Sequence, residues 1–212
     1  MNKIIDELSE RYPQLRGCAN DISKAYEILL ACYRAGGTVL TCGNGGSAAD
    51  AEHIVGELMK KFRKHRAIPS ALAAKLPPEL AAKLEGALPA VSLVSMSGIL
   101  TAFANDVAWE TAFAQQVLGL GRPGDVLIAL STSGNSANCV NAARVAQAKG
   151  LKVISLTGAG GGRLGELADA AIAVPETETY KIQELHLPIY HALCAALEDE
   201  LFGRADSPSA AG

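Results

Sequence analysis

The sequence has 212 residues, 49% of them hydrophobic and 19% charged, which suits one well-packed domain and leaves too little length for a second full one. Nineteen Lys and Arg against 22 Asp and Glu give a net charge of -3, so no basic field is present to hold a polyanion, and nucleic acid is not an expected partner. The N-terminus "MNKIIDELSERYPQL" scatters charges among its apolar residues and no run approaches the ~18 consecutive apolar residues of a membrane span, so a soluble, cytoplasmic protein without a membrane partner is expected.

In chain order, a first helix is expected near residues 2–11 and a second near 19–35, where "NDISKAYEILLACYRAGG" has helical spacing, a capping Asn or Asp and a terminal Gly pair. "TVLTC" (38–42) follows as a short, β-branched, apolar strand of the kind buried in parallel sheets. Residues 63–89 break the pattern. They are too long for an ordinary connection and read as an insertion or lid, with "PPELAAKLEG" able to form a short helix behind its prolines. "AVSLV" (90–94) is the second strand, and "ETAFAQQVLGL" (110–120) is helical. "DVLIAL" (125–130), "LKVISL" (151–156) and "AAIAV" (170–174) are further strands, with the helix "ANCVNAARVAQAKG" closing on Gly150 between the first two. A long helix near 178–202 ends the fold, and residues 204–212 are expected to be a disordered tail on a single domain spanning 1–203. Strand and helix in repeated alternation argue for an α/β fold with a parallel sheet covered on both faces. The cysteines, Cys18, Cys32, Cys42, Cys139 and Cys194, are odd in number and form no CxxC pair, so they read as buried free thiols.

Ligands of open parallel sheets gather beyond the carboxyl ends of the strands, and two loops there are chemically loaded. In "GNGGS" (43–47) the glycines admit an oxyanion close to backbone N–H groups at a helix start. In "STSGNS" (131–136) hydroxyls and amides could surround a phosphate. One such loop alone is as readily a helix cap; two after two strands favour a ligand. "GNGGSA" fits a dinucleotide fingerprint, but the acidic residue required about 20 positions later is replaced by the basic "KKFRKHR". Neither loop ends in the Gly-Lys-Ser/Thr of a Walker motif, so a small phosphorylated metabolite leads over a nucleotide.

His53 and Glu57, four residues apart, share one face of the helix leaving the first loop, a pair able to bind a divalent metal or to divide the work of proton transfer. "KIQELHLPIYHALC" adds Gln183, Glu184, His186 and His191. His65 lies in the cationic run and reads as solvated. Asp50 reads as a local cap or ion-pair partner, Glu52 and Glu184 as surface charges and His186 as a packed side chain. The triple glycine at 160–162 either approaches a ligand or forms a flexible turn. Trp109 and the few tyrosines make no base-stacking platform.

"CGNGGSAADAEHIVGEL", "ANDVAWETAFAQQV", "GDVLIALSTSGNSANCV", "VISLTGAGGGRLGELAD" and "ETETYKIQELHLPIYHAL" resemble, in order, the successive blocks of the bacterial phosphoheptose isomerases, sugar isomerase (SIS) domain proteins. The resemblance implies a three-layer αβα sandwich with a five-stranded, flavodoxin-like parallel sheet. It also implies a homotetramer with active sites at subunit interfaces. The implied reaction interconverts sedoheptulose 7-phosphate and D-glycero-D-manno-heptose 7-phosphate, for heptose and glycan biosynthesis such as that of lipopolysaccharide. By the same resemblance Asn44, Gly45, Gly46, Asn105 and Asp106 match sugar-binding positions, with Ser47 closing the first loop, and Ser131, Thr132, Ser133 and Ser136 match the phosphate loop. Glu57 and His191 match a catalytic acid/base pair; His53, Glu57, Gln183 and His191 match ligands for one zinc ion per subunit.

Moving a carbonyl between C1 and C2 requires a base to shuttle the carbon-bound proton and an acid to serve the oxygens, through an enediol, and Glu57 and His191 are suitable types. Gln183 can serve as a neutral ligand or donor toward substrate or metal. On a straight helix Gln183 and His191 stand about 12 Å apart along the axis. They meet at one metal only if Pro188 kinks or restarts the helix or a neighbouring subunit completes the site; the interface is the favoured expectation. The alternative reading is a noncatalytic phosphosugar sensor or adaptor resembling the DnaA-initiator-associating protein, whose positions matching Glu57 and His191 are unsuited to the chemistry. A third is an isomerase of another ketose phosphate, its pocket reshaped by residues 63–89.

Overall fold

The computed structural model describes residues 3–203; the expected tail at 204–212 lies outside the described residues. α1 (Lys3–Arg11) leads through a 3-10 segment, Pro13–Cys18, into α2 (Ala19–Arg34). β1 (Val39–Cys42) runs into α3 (Gly46–Met59), and two single turns, α4 (Ser70–Ala73) and α5 (Pro78–Ala81), precede β2 (Ala90–Ser92). α6 (Ser97–Asp106), a 3-10 turn at Trp109–Thr111 and α7 (Ala112–Leu120) lead to β3 (Val126–Leu130) and α8 (Ala137–Ala148). β4 (Lys152–Thr157), α9 (Gly162–Leu167), β5 (Ala170–Ala173) and α10 (Thr179–Phe202) complete the chain.

The five strands form one parallel sheet in the order β2-β1-β3-β4-β5, with Val39 opposite both Ala90 and Val126, and Ile128 opposite Ile154. This is the flavodoxin-like order. Alternate side chains of each strand feed two different cores. Val39, Ile128, Leu130, Ile154 and Leu156 pack with Ile22 and Leu29 of α2, Ile54 and Leu58 of α3, and Ile189 and Leu193 of α10. Leu40, Leu127, Ala129 and Val153 pack on the other face with Leu100 of α6, Phe113 and Val117 of α7, Val140 of α8 and Leu164 of α9. That double burial explains why the strands read as unbroken apolar runs.

Four details differ from or sharpen the sequence reading. α7 begins two residues late because Trp109–Thr111 winds as a 3-10 turn. α10 continues through Pro188, which neither ends nor restarts it. The glycine run leads into α9, with Gly161 and Gly162 at positive φ. The cationic run is not wholly solvated: His65 is exposed, but Arg66 is fully buried. Residues 67–85 include no buried residue, and their ends are pinned together by the Gly86 N–H donating to Arg66 O at 2.7 Å. All of the cysteines are free and buried. Among the described residues, no helix is long and apolar enough to cross a membrane.

Candidate active site

β2 is added on one side of β1 and β3, β4 and β5 on the other, so the strand order switches between β1 and β3, and the loops leaving these two strands, 43–47 and 131–136, flank the resulting crevice. A reciprocal amide pair joins them: Asn44 Nδ2 donates to Asn138 Oδ1 (2.9 Å) and Asn138 Nδ2 returns a bond to Asn44 Oδ1 (2.8 Å). Asn138 is buried at the start of α8, so the amide face of Asn44 is fixed by an element of the second loop. Within that loop Ser131 Oγ donates to Ser136 Oγ at 3.0 Å, and Asn135 N donates to Ser133 Oγ at 3.1 Å. Thr132 O accepts from Gly158 N, and a Cβ on Gly134 would stand 1.9 Å from Gly161 O. The triple glycine therefore serves close packing of the 131–136 loop.

α3 places Ser47, Asp50, His53 and Glu57 along one side, facing α10. Gln183 Nε2 lies 3.4 Å from Ser47 Oγ, and the Gln183 amide fills the space a Cβ on Gly46 would need, at 2.7 Å. Further along, His53 Nε2 stands 3.1 Å from Glu57 Oε1 and 3.4 Å from His191 Nε2. One chain thus brings His53, Glu57 and His191 together, while Gln183 sits two turns earlier on α10, beside the first loop. Asn105 and Asp106 are apart from both, bonded to each other (2.8 Å) at the exposed end of α6.

The tautomer of His53 follows from its neighbours. Tyr190 Oη lies 3.1 Å from Asp50 Oδ1 and 3.0 Å from His53 Nδ1. An ionised Asp50 can only accept, so the Tyr190 hydroxyl donates to it and His53 Nδ1–H donates to the phenol oxygen. The Nε2 lone pair of His53 then points at Glu57 and His191, as in metal sites oriented by an outer hydrogen bond. Burial raises the Asp50 carboxyl, against the Tyr190 hydroxyl and His53, and burial followed by Asp50 pushes the Tyr190 phenol up, so that phenol stays protonated. Burial, then His53, holds the His191 imidazole below its ordinary value against the pull of Glu57. His191 is therefore neutral at pH 7 and able to take a proton.

Donor atoms of His53, Glu57 and His191 all lie within 4.8 Å of one another. Two imidazole nitrogens and a carboxylate facing each other repel unless a proton or cation lies among them, so this donor set fits a divalent metal. His186 is remote from that chemistry: it is fully buried, and its Nε2 donates to Thr157 O at 3.2 Å. Sequence reasoning gave Asp50 no role and passed over Tyr190, Asn138, Arg66 and Glu198. Asp50 was findable, being three residues before His53 on the same face; the others depend on contacts across more than 90 residues.

Comparison with known proteins agrees with this fold. The family model described as "SIS domain" matches residues 5–86 and 79–158. The phosphoheptose isomerase of Rhodospirillum rubrum is 45% identical over 188 residues, covering 89% of this chain and 90% of its own. Among solved structures, phosphoheptose isomerase GmhA from Neisseria gonorrhoeae aligns with a TM-score of 0.71 at 33% identity, over 91% of this chain and 93% of that one. A phosphoheptose isomerase from Francisella tularensis aligns with a TM-score of 0.75 at 31% identity, over 89% and 91% of the two chains.

Proposed function

The chain belongs to the SIS-domain family and, within it, to the phosphoheptose isomerases, and from that membership we infer that it interconverts sedoheptulose 7-phosphate and D-glycero-D-manno-heptose 7-phosphate. The observation that carries the reading is the convergence of His53, Glu57 and His191 beside two joined, phosphate-type loops.

The hydroxyls of Ser131, Thr132, Ser133 and Ser136 hold the phosphate ester, and Asn44, Gly45, Gly46 and Ser47 line the sugar end, with Gln183 donating from α10. Asn105 and Asp106 contact the sugar only if another subunit presents them. The Glu57 carboxylate takes the proton from C1 of the ketose, leaving an enediolate across C1 and C2, and returns it to C2. Neutral His191 carries the proton of the C1 hydroxyl to the C2 oxygen, so the carbonyl moves and no atom is gained or lost. Zinc is the metal we assign to His53, Glu57 and His191; Gln183 of the same chain sits two turns earlier on α10, so a Gln183 joins that set only if a neighbouring subunit presents it. Bound there it supplies Lewis-acid polarisation of the carbonyl and stabilises developing negative charge on oxygen.

We also read the protein as a cytoplasmic homotetramer serving bacterial glycan synthesis, because a doubly charged sugar phosphate does not cross a bilayer and the apolar Ile99, Val107 and Trp109 stand exposed around α6. Light scattering that finds a monomer at working concentration removes the assembly from this reading. The activity is tested by an NMR time course of purified protein with sedoheptulose 7-phosphate in D₂O, with zinc or with a chelator. Appearance of the aldose phosphate, with deuterium at C2 where the proton exchanges, supports the reading. Absence of turnover under every condition, with saturable sugar phosphate binding, overturns it in favour of a sensor.

A further inference from the structure

The run Lys60–Arg66 carries the one Lys or Arg side chain that is completely buried among the described residues. Arg66 and Glu198 are 0% and 1% exposed and pair at 2.8 Å through Nε and Oε1. The rest of the guanidinium faces the end of α3: Nη1 donates to Leu58 O at 2.6 Å and Nη2 to Glu57 O at 3.0 Å. These carbonyls belong to the last turn of the helix. The Lys61 and Phe62 N–H groups that would continue it donate instead to Glu85 Oε2 and Glu198 Oε1. Glu198 also accepts from Arg63 N at 2.7 Å and Lys64 N at 3.0 Å. Burial works to raise this carboxyl, but the Phe62 and Arg63 N–H groups and the Arg66 guanidinium outweigh it and hold it low. Phe62, gripped by the same carboxylate, lays its ring 5.3 Å from the ring of His191.

A buried ion pair is a poor device for stability alone, since apolar residues of similar volume do as well. What an apolar pair lacks is direction. The planar guanidinium fixes one carboxylate and two carbonyls at set angles, a task lysine cannot perform. Glu198 lies seven residues after His191, about two turns on, so both project from the same side of α10. The pair therefore ties the turn bearing Glu57 to the helix bearing His191, and sets Phe62 against the imidazole.

We propose that Arg66 and Glu198 form a positioning pair that fixes α3 against α10 and so holds His53 and Glu57 at their working distance from His191. This rests on the reading of those three residues as the catalytic and metal-binding centre. Removing one charge alone strands the other in the core, so the informative variants are the neutral double change Arg66→Met/Glu198→Gln and the charge-preserving Arg66→Lys. Each is measured for zinc affinity by competition with a chromophoric chelator, for kcat and KM with sedoheptulose 7-phosphate, and for folded fraction by circular dichroism. Loosened outer-shell support should weaken zinc about 10-fold or more, while misplacing the acid/base pair should lower kcat about 10-fold or more. KM should stay within about threefold, because the phosphate loop is untouched.

A folded variant with wild-type zinc affinity and kcat overturns the proposal. So does a loss confined to KM, or one that vanishes once activity is expressed per folded chain. If the double variant does not fold, Arg66→Lys decides alone. Failure of the wild-type protein to isomerise the sugar would sink the proposed function, yet the zinc measurement would still test the pair.

Discussion

Replacing His186 with leucine should make the protein more resistant to mild acid, and by an amount the structure sets. The imidazole is fully buried in α10, with Nε2–H on Thr157 O and Nδ1 without a hydrogen-bond partner. Burial lowers its pKa from 6.5 to about 4 despite the Thr157 carbonyl. Above pH 6.5 neither the folded nor the unfolded chain holds this proton, and the residue is neutral with respect to pH. As pH falls from 6.5 toward 4 the unfolded chain takes up a proton that the folded chain refuses, so stability drops; below 4 both hold it and the loss is complete. At about 1.4 kcal/mol for each pH unit between those values, the loss is about 3 kcal/mol. Leucine is close in volume, and Thr157 O keeps a partner because Val174 N also donates to it at 3.0 Å. Urea unfolding followed by circular dichroism at fixed protein concentration, in steps from pH 7.5 to 4, gives the two stability curves. Their difference should change by about 3 kcal/mol across the window, since carboxylates and the other histidines are common to both proteins and cancel. Parallel curves would refute the reasoning, and would mean that water or a rearrangement reaches Nδ1 in the folded state.

Glu57→Gln and His191→Ala should each lower kcat about 100-fold or more with the fold intact, measured by coupled assay and circular dichroism; near-normal turnover in either removes that residue from the acid/base pair. Tyr190→Phe deletes the hydroxyl between Asp50 and His53, and should cost about 1–3 kcal/mol of stability together with about 10-fold in zinc affinity, read by urea titration and chelator competition. Excising residues 68–84 and closing the gap with two glycines should shift unfolding free energy by no more than about 1 kcal/mol, because no residue of that stretch is fully buried and its ends already meet at the Arg66–Gly86 bond. Unchanged kcat/KM in the same variant would show that the insertion does not shape the pocket, whereas a loss confined to KM would place it at the sugar.

The legible parts of this protein were those encoded by neighbours in sequence. Strands such as Val126–Leu130, buried at every position, could be read because the sheet is covered on both faces and needs no polar alternation. His53 and Glu57 declared themselves by helical spacing alone. α9 did not, since a helix opening on Gly161 and Gly162 carries breaker residues where formers are expected. Arg66 was hidden by the rule that a basic run is a solvated face: its partner is 132 residues away, and nothing local distinguishes it from Arg63 or Lys64. The roles of His191 and Gln183 came from family resemblance; helical spacing already set them about 12 Å apart, and the uninterrupted α10 keeps them so.

α3 and α10 explain that separation. Ser47 meets Gln183, His53 meets Tyr190 and His191, and the Glu57–Leu58 turn reaches Glu198 through Arg66, so contacts advance together along both helices. Paired advance means that the two helices run side by side in the same direction. Gln183 at one end and His191 about 12 Å further on then belong to two stations of one trough, not to one cluster. The first station adjoins the loop at 43–47 and, through the Asn44–Asn138 pair, the serine loop at 131–136. The second gathers His53, Glu57 and His191, the groups proposed for metal binding and proton transfer, so any ligand served by both stations must lie along the trough between the helices.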